Sequence, residues 1–176
     1  MDYLDFAKST LSKALGPQQP SVNFTVGQMS PFQAPQSLFK LYDGTKKDDS
    51  SQISVFVFEI KKGDKTGLLL ARNALKKTMT LRFPGMLTYI DGAETPSRII
   101  IGTEKVESFS TFFGKSRDSM LTKFGVYRVA ATLYSLQESN IVHGNLNLES
   151  IFVTKAGEFK LASANVGLAA WNTHQV

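Results

Sequence analysis

His143-Gly144-Asn145-Leu146-Asn147-Leu148-Glu149-Ser150 is the stretch on which the fold turns. Before it, Met120 to Ser139 reads as a helix, with Val126, Val129, Ala130, Leu133 and Leu136 recurring along its inner side. A short apolar link, Ile141-Val142, leads from that helix into the quoted segment. After it, Ile151 to Val153 and Phe159 to Ala162 read as two small strands around the turn Lys155-Ala156-Gly157-Glu158. A polar loop is therefore framed by a helix on one side and a hairpin on the other.

Further upstream the chain is richer in strands. Ile53 to Phe58 gives the strongest signal, placing Ile53, Val55 and Val57 on one face and Phe56 and Phe58 on the other. Ser37 to Tyr42 alternates, Asp43-Gly44 reads as a turn, and Lys46 to Ser51 as a polar loop. A helix is expected from about Thr66 to Leu81, with Leu68, Ala71, Leu75 and Met79 as its buried stripe. Beyond Phe83-Pro84-Gly85, strands are expected over Met86 to Ile90 and Arg98 to Thr103, joined at Asp91-Gly92. At the start, Asp2 to Leu15 has the spacing of a short amphipathic helix ended by Gly16-Pro17. Pro17 to Pro35 then reads as an irregular connector with one strand at Val22 to Val26. Strands with one helix, followed by a helix and a hairpin, make an α+β order of elements.

That order resembles a protein kinase, and short motifs strengthen the resemblance. The quoted segment resembles the kinase catalytic loop H-R-D-L-x-x-x-N, and Ile53-Ser54-Val55-Phe56 resembles the V-A-I-K strand. Arg82 to Leu87 looks like the stretch after the kinase C-helix, and Ile99 to Val106 like the strand entering the hinge. The strings ISVFVFEIKKG, YIDGAET, TEKV, VHGN and GEFKLASANVG look like the N-terminal kinase-like, or Scy-like, pseudokinase family. The resemblance covers roughly Leu38 to Leu168. It implies a kinase-like N-terminal lobe, an antiparallel sheet plus C-helix, with only the beginning of the helical C-terminal lobe. The corresponding division is residues 1–16 as an N-terminal helix, 17–36 as a connector, 37–108 as the N-lobe and 109–176 as a truncated start of the C-lobe. Ending near the start of the activation segment, the chain is expected to be a fragment, a short isoform or a truncated gene model.

The same resemblance identifies a set of degenerate positions. Phe56 stands where a lysine would reach the nucleotide phosphates, and the glutamate that would hold that lysine aligns near Ala74. Asn145 replaces the catalytic aspartate, and a neutral amide is no general base. Gly144 replaces the arginine before it, and Ser150 the metal-binding asparagine. The second metal ligand falls at Ser163, or, with a shift of two residues, at Asn165 of Asn165-Val166-Gly167. Neither alignment offers the carboxylate that Mg²⁺ prefers. Around Val26-Gly27-Gln28-Met29-Ser30 there is a single glycine rather than a phosphate-binding glycine loop. Phosphotransfer needs these parts together, so neither catalytic residue nor cofactor nor metal site is expected. His143 reads as a packing residue of the second lobe.

Composition narrows the remaining classes. Cysteine is absent and only His143 and His174 offer imidazole, which leaves little for a protein-only zinc site. No stretch approaches the ~20 apolar residues of a membrane span. The N-terminus lacks the pattern of a secretory signal, and a cytoplasmic protein is expected. The net charge of +5 is compatible with a solvated lysine surface, since aromatic and basic residues are not interleaved. Family membership implies a scaffold for Golgi-to-ER retrograde traffic with coatomer (COPI) components as partners and peripheral Golgi association. Two alternatives stand beside it. One is an ATP-binding or residually active kinase. The other is an adaptor in tRNA nuclear export that binds RNA through Lys61, Lys62, Arg72, Lys76 and Lys77.

Overall fold

Branched and aromatic side chains alternate through Gln52–Glu59 and are buried on both faces, which puts this segment at the centre of a sheet. The computed structural model describes residues 21–31, 33, 37–115 and 118–163. The expected N-terminal helix lies outside these residues, as do Asn165-Val166-Gly167 and His174. Within them, strands β1 (Phe24–Met29), β2 (Lys40–Lys46), β3 (Gln52–Glu59), β4 (Tyr89–Glu94) and β5 (Arg98–Glu104) form a five-stranded sheet. Helix α1 (Lys65–Thr80) connects β3 to β4. Strand β6 (Val106–Ser108), helix α2 (Phe109–Lys115), helix α3 (Ser119–Glu138) and strands β7 (Ile151–Thr154) and β8 (Phe159–Leu161) follow. A three-residue 3-10 turn, Leu148–Ser150, leads into β7.

The larger sheet has the order β1-β2-β3-β5-β4 and is antiparallel throughout. It curls until its two edges meet at a corner, where the Asn23 amide donates to Asp91 Oδ2 at 2.7 Å. The alternation expected for β3 is realised. Ile53, Val55 and Val57 share one cluster with Val22, Phe24 and Ile100, while Phe56 and Phe58 enter another with Ala71, Ala74, Ile99 and Ile101. Burying one such phenyl group contributes about 1.5–3 kcal/mol, so β3 holds both layers together.

Glycine misled the reading of turns at two places. Asp43-Gly44 and Asp91-Gly92 both run inside strands, and the chain reverses instead near Lys47–Ser50 and Thr95–Ser97. A Cβ on Gly44 would lie 2.5 Å from Val55 Cγ2, and one on Gly92 would lie 2.7 Å from the Ile100 carbonyl oxygen. These glycines admit a neighbouring strand rather than a bend. The sheet's first strand, β1, lies within residues 17–36, the stretch read as connector.

Asp64 caps α1 by accepting from the Gly67 amide at 2.8 Å, a contact of about 1 kcal/mol. The buried face of α1 is Gly67, Ala71, Ala74 and Thr78. Leu68 and Leu75 are only half-buried and Met79 is exposed, so the true stripe is rotated from the expected one towards small residues. Small side chains let the helix approach the sheet closely. Helix α3 shows a similar rotation. It buries Gly125, Val129, Thr132 and Leu136, whereas Val126 and Ala130, expected inside, are exposed. Phe124, Tyr127 and Tyr134 are also exposed on α3. Helix α2 has no counterpart in the sequence reading. Its Ser, Thr and Phe residues are indifferent helix formers, but Ser108 caps it and Phe109 and Phe112 pack around Phe159.

The smaller sheet, β6-β7-β8, is stitched to the larger unit by backbone bonds. The Leu87 amide donates to the Leu161 carbonyl at 3.0 Å, and the Leu161 amide to the Gly85 carbonyl at 2.8 Å. Gly85 has a φ of +87°, and a Cβ there would fall 1.9 Å from Thr132 Oγ1 on α3. This is an arrangement open only to glycine.

Candidate functional site

The region between the two sheets is where a kinase-like fold would hold its chemistry. In this chain it is filled by side chains. Phe56, 2% exposed, projects from β3 and meets Phe152 of β7 edge-on, with ring centroids 5.3 Å apart. Leu41, Ala74, Val106 and Ala162 belong to the same buried cluster, so one hydrophobic core runs from the larger sheet through α1 to the smaller sheet.

Three of the sequence-assigned positions come together here. Phe56 and Ala74 share that cluster, and Ser163 follows Ala162 directly. The Ser163 and Thr78 hydroxyls are hydrogen-bonded at 2.8 Å in a buried setting, and the Thr78 hydroxyl also donates to the Ala74 carbonyl at 2.8 Å. This hydroxyl pair ties the end of the hairpin to α1. It is uncharged, as is everything the three positions contribute.

Asn145 and Ser150 sit together in the neighbouring loop, beside Asn147. The Asn147 carboxamide oxygen accepts from the Glu149 and Ser150 amides at 2.8 and 3.0 Å, while its Nδ2 donates to Asn145 Oδ1 at 3.2 Å. Ser150 completes a capping box: its hydroxyl accepts from the Asn147 amide at 3.1 Å and donates to the Asn147 carbonyl at 2.7 Å. Ser150 is fully buried and its carbonyl receives the Ala162 amide at 2.8 Å. Asn145 and Ser150 therefore spend their polar atoms largely on holding the loop. Asn145 Nδ2 and Glu149 Oε2 are buried without a partner among the described residues.

His143 lies under this loop. Its Nε2 is 2.7 Å from the Ala162 carbonyl, which can only accept, so Nε2 carries the hydrogen. Nδ1 is buried without a partner among the described residues. Burial holds the imidazole below its ordinary pKa and the Lys77 ammonium adds to that, against an opposing effect of the Ala162 carbonyl. The ring acts as a neutral strut from the loop to the residue preceding Ser163, in keeping with a packing role.

Ser54 is the participant that sequence reading missed. It sits on the same face of β3 as Phe56, fully buried. Its hydroxyl donates to the Val106 carbonyl and accepts from the Val106 amide, both at 3.0 Å. Val106 begins β6, so one hydroxyl occupies both peptide groups of the linker between the sheets. A lone serine inside an otherwise apolar strand, Ile53-Ser54-Val55-Phe56-Val57-Phe58, was the available signal, because a buried hydroxyl needs a partner.

What remains open is a groove of about 340 Å³ beside the linker. Lys105, Lys115 and Lys155 contribute cations to its lining, while Asp43 and Glu107 contribute carboxylates. Lys105 pairs with Asp43, and Lys115 with Glu107 at 2.6 Å. Across the other side, Glu104 accepts from the Thr88 amide at 2.8 Å and faces Lys160 at 3.7 Å. Among the described residues no group of three or more His, Asp or Glu is placed to hold a metal ion. No helix among them is long and apolar enough to cross a membrane.

A curled antiparallel sheet with one packed helix, joined by a short linker to a helix and small hairpin, is the N-lobe of a protein-kinase-like fold with the beginning of its second lobe. Comparison with known proteins agrees, although no family model matches the chain. The chain is 32% identical over 142 residues to a protein of Dictyostelium discoideum named probable inactive serine/threonine-protein kinase scy1, covering 80% of this chain and 17% of that protein. It is 29% identical over 159 residues to the protein kinase domain-containing protein ppk3 of Schizosaccharomyces pombe, covering 90% of this chain and 24% of that one. It is 31% identical over 143 residues to cytoplasmic export protein 1 of Saccharomyces cerevisiae, covering 77% of this chain and 18% of that one. The crystal structure of Cex1p superposes with a TM-score of 0.69 at 25% identity, over 86% of this chain and 28% of that one. The chain belongs to the Scy-like kinase-like proteins, and it spans about a fifth of the length of the curated relatives it matches.

Proposed function

We propose that the chain is a catalytically inert kinase-like module that serves as a protein-binding scaffold. The observation that carries this reading is the Phe56–Phe152 contact, because it turns the space between the sheets into core. Under the family alignment, Phe56 and Ala74 stand for the lysine–glutamate pair, Asn145 for the base, and Ser150 and Ser163 for the metal ligands. None of these side chains carries a charge, and none can neutralise a transferring phosphoryl group or act as general base. The Val106 amide hydrogen is already given to Ser54, which leaves an entering ligand no free donor at that residue. The name of the Dictyostelium relative, a probable inactive kinase, points the same way. By family resemblance the scaffold acts at the cytoplasmic face of Golgi membranes, with coatomer components as partners in COPI-dependent retrograde traffic.

Thermal unfolding with and without ATP and Mg²⁺ tests the reading. A ligand at ~100 times its dissociation constant stabilises a folded state by roughly 2.7 kcal/mol, which for a chain of this size raises Tm by about 5–11 °C. The expected result is no shift. A Mg²⁺-dependent rise of that size would restore the nucleotide-binding alternative. Binding of purified coatomer, measured separately, tests the trafficking assignment.

A second reading, an adaptor in tRNA export, is favoured by the relative named cytoplasmic export protein 1. The cations first assigned to it do not form a single face. Lys77 is half-buried near His143, and Arg72 is held by Glu94 at 2.6 Å. Affinity for tRNA falling steeply with salt would support this reading.

A further inference from the structure

We propose that residues 2–15 fold back as a helix onto the groove along the connection between α1 and β4, so that the chain covers this surface with its own segment. The inference stands apart from the scaffold reading. The groove has a volume of about 240 Å³ and is lined by residues from Leu81 to Tyr89. Leu81, Phe83 and Tyr89 are half-buried there and Pro84 is exposed, beside buried Met86 and Leu87. Leu81 and Phe83 pack on the cluster of Met86, Leu136 and Leu161, so the groove is where that core reaches the surface. Helix α3 borders it, since the Thr132 hydroxyl donates to the Pro84 carbonyl at 3.3 Å.

The path of the chain singles out the occupant. Val22 is buried, and the Asn23 amide donates to Asp91 Oδ2 at 2.7 Å. Asp91 lies two residues beyond Tyr89, about 7 Å along β4, so the chain enters the fold at one end of the groove. Burial raises the pKa of Tyr89, the Asp91 carboxylate adds to that and the Arg82 guanidinium opposes it, which places both charges around the same phenol. Seven residue steps separate Leu15 from Val22, a reach of at most about 25 Å. Residues 2–15, which lie outside the described residues, would make a helix of about 21 Å, and that tether brings it to the groove. Leu4, Ala7, Leu11 and Leu15 recur along one side of such a helix. A helix this short is marginal by itself in water, and an apolar surface within reach removes that deficit. Arg82 is exposed without an ion-pair partner among the described residues, and Asp2 and Asp5 bring carboxylates to it. Tethering favours this segment over the same helix from a second copy, because linked partners meet at an effective concentration on the order of mM.

The test uses the whole chain, which has no cysteine of its own, with one nitroxide attached through Ser9→Cys. Ser9 falls on the side of the helix away from the leucines. Paramagnetic broadening of amide signals is expected to centre on residues 81–89. Adding Leu4→Asp and Leu11→Asp together should cut that broadening by about tenfold or more, the loss expected when two buried leucines are replaced by charges. All three substitutions lie outside the clusters that form the core, and unchanged chemical shifts in β3 and β5 show that the fold is kept. Broadening that survives both aspartates would reflect the tether alone and would overturn the proposal. Broadening centred instead on the exposed Met120, Phe124 and Tyr127 of α3 would place the segment there and overturn it too. So would equal broadening in a mixture of nitroxide-carrying chain with isotope-labelled chain free of nitroxide, which would assign the groove to a second copy. Nucleotide binding in the melting experiment would sink the inert-scaffold reading and leave this assignment untouched.

Discussion

Replacing Phe56 with alanine tests whether the space between the sheets is core or cleft. The ring is 2% exposed and meets Phe152 edge-on at 5.3 Å. Its truncation removes the transfer energy of a buried phenyl group and leaves a cavity bounded by two sheets and a helix. Phe→Ala changes of this kind cost about 3–5 kcal/mol, which for a chain of this length lowers Tm by about 6–20 °C. Part of the loss belongs to the contact between the sheets. In a double-mutant cycle with Phe152→Ala, the two substitutions should couple by about 0.5–1.5 kcal/mol, the range for an edge-to-face pair. Calorimetry or denaturant unfolding of the four proteins gives both numbers. A Tm drop of only one or two degrees for Phe56→Ala, or strict additivity with Phe152→Ala, would mean that the rings do not seal the interface, and the argument against a nucleotide cleft would fall with it.

Two further outcomes follow from buried polar groups. Ser54→Ala leaves the Val106 amide and carbonyl without their hydroxyl partner. It should cost about 1–3 kcal/mol and speed hydrogen exchange at the Val106 amide, and unchanged exchange there would refute the assignment. His143 is held below its usual pKa, chiefly by burial. Its neutral form is therefore favoured in the fold, and the stability tied to it is complete above the unfolded value of about 6.5. It is lost as pH falls from there through the folded value, because unfolding then takes up a proton. His143→Gln, which can still donate to the Ala162 carbonyl, should flatten the fall of Tm with pH in that window, and an unchanged slope would place its source elsewhere.

The parts of the fold that were legible in the sequence are those governed by one dominant period. In β3 the two-residue alternation separated Ile53, Val55 and Val57 from Phe56 and Phe58, and the structure keeps that division between two clusters. The strands around Lys155–Glu158 were legible for the same reason. Helices were legible in extent but not in rotation. Hydrophobicity alone placed Met79 and Val126 inside, whereas close packing against a sheet and against Phe159 selected Ala74 and Gly125. Glycines in strands imitated turns, since sequence does not show which strand will cross over them. Helix α2 depends on Phe159, contributed from far along the chain, and no local pattern announces it.

Under the family alignment the candidate site reads as a list of losses, and that alignment does not say how such losses would be compensated. Removing a lysine–glutamate pair from a buried interface leaves volume and hydrogen-bonding capacity to be satisfied. An unpaired buried charge costs several kcal/mol, while an apolar replacement of suitable volume is often neutral or stabilising. Phe56 takes up the volume and finds its complement in Phe152, a residue with no place in the kinase motifs. Ser163 turns to Thr78, Ser54 to Val106, and Ser150 to Asn147. The contacts of Phe56, Ser163 and Ser54 each join two elements, while that of Ser150 closes its own loop. A working kinase site needs charges that stay partly exposed to meet phosphate and metal. In this chain Phe56 meets Phe152 and Ser163 meets Thr78, which joins the larger sheet, α1 and the hairpin into one body.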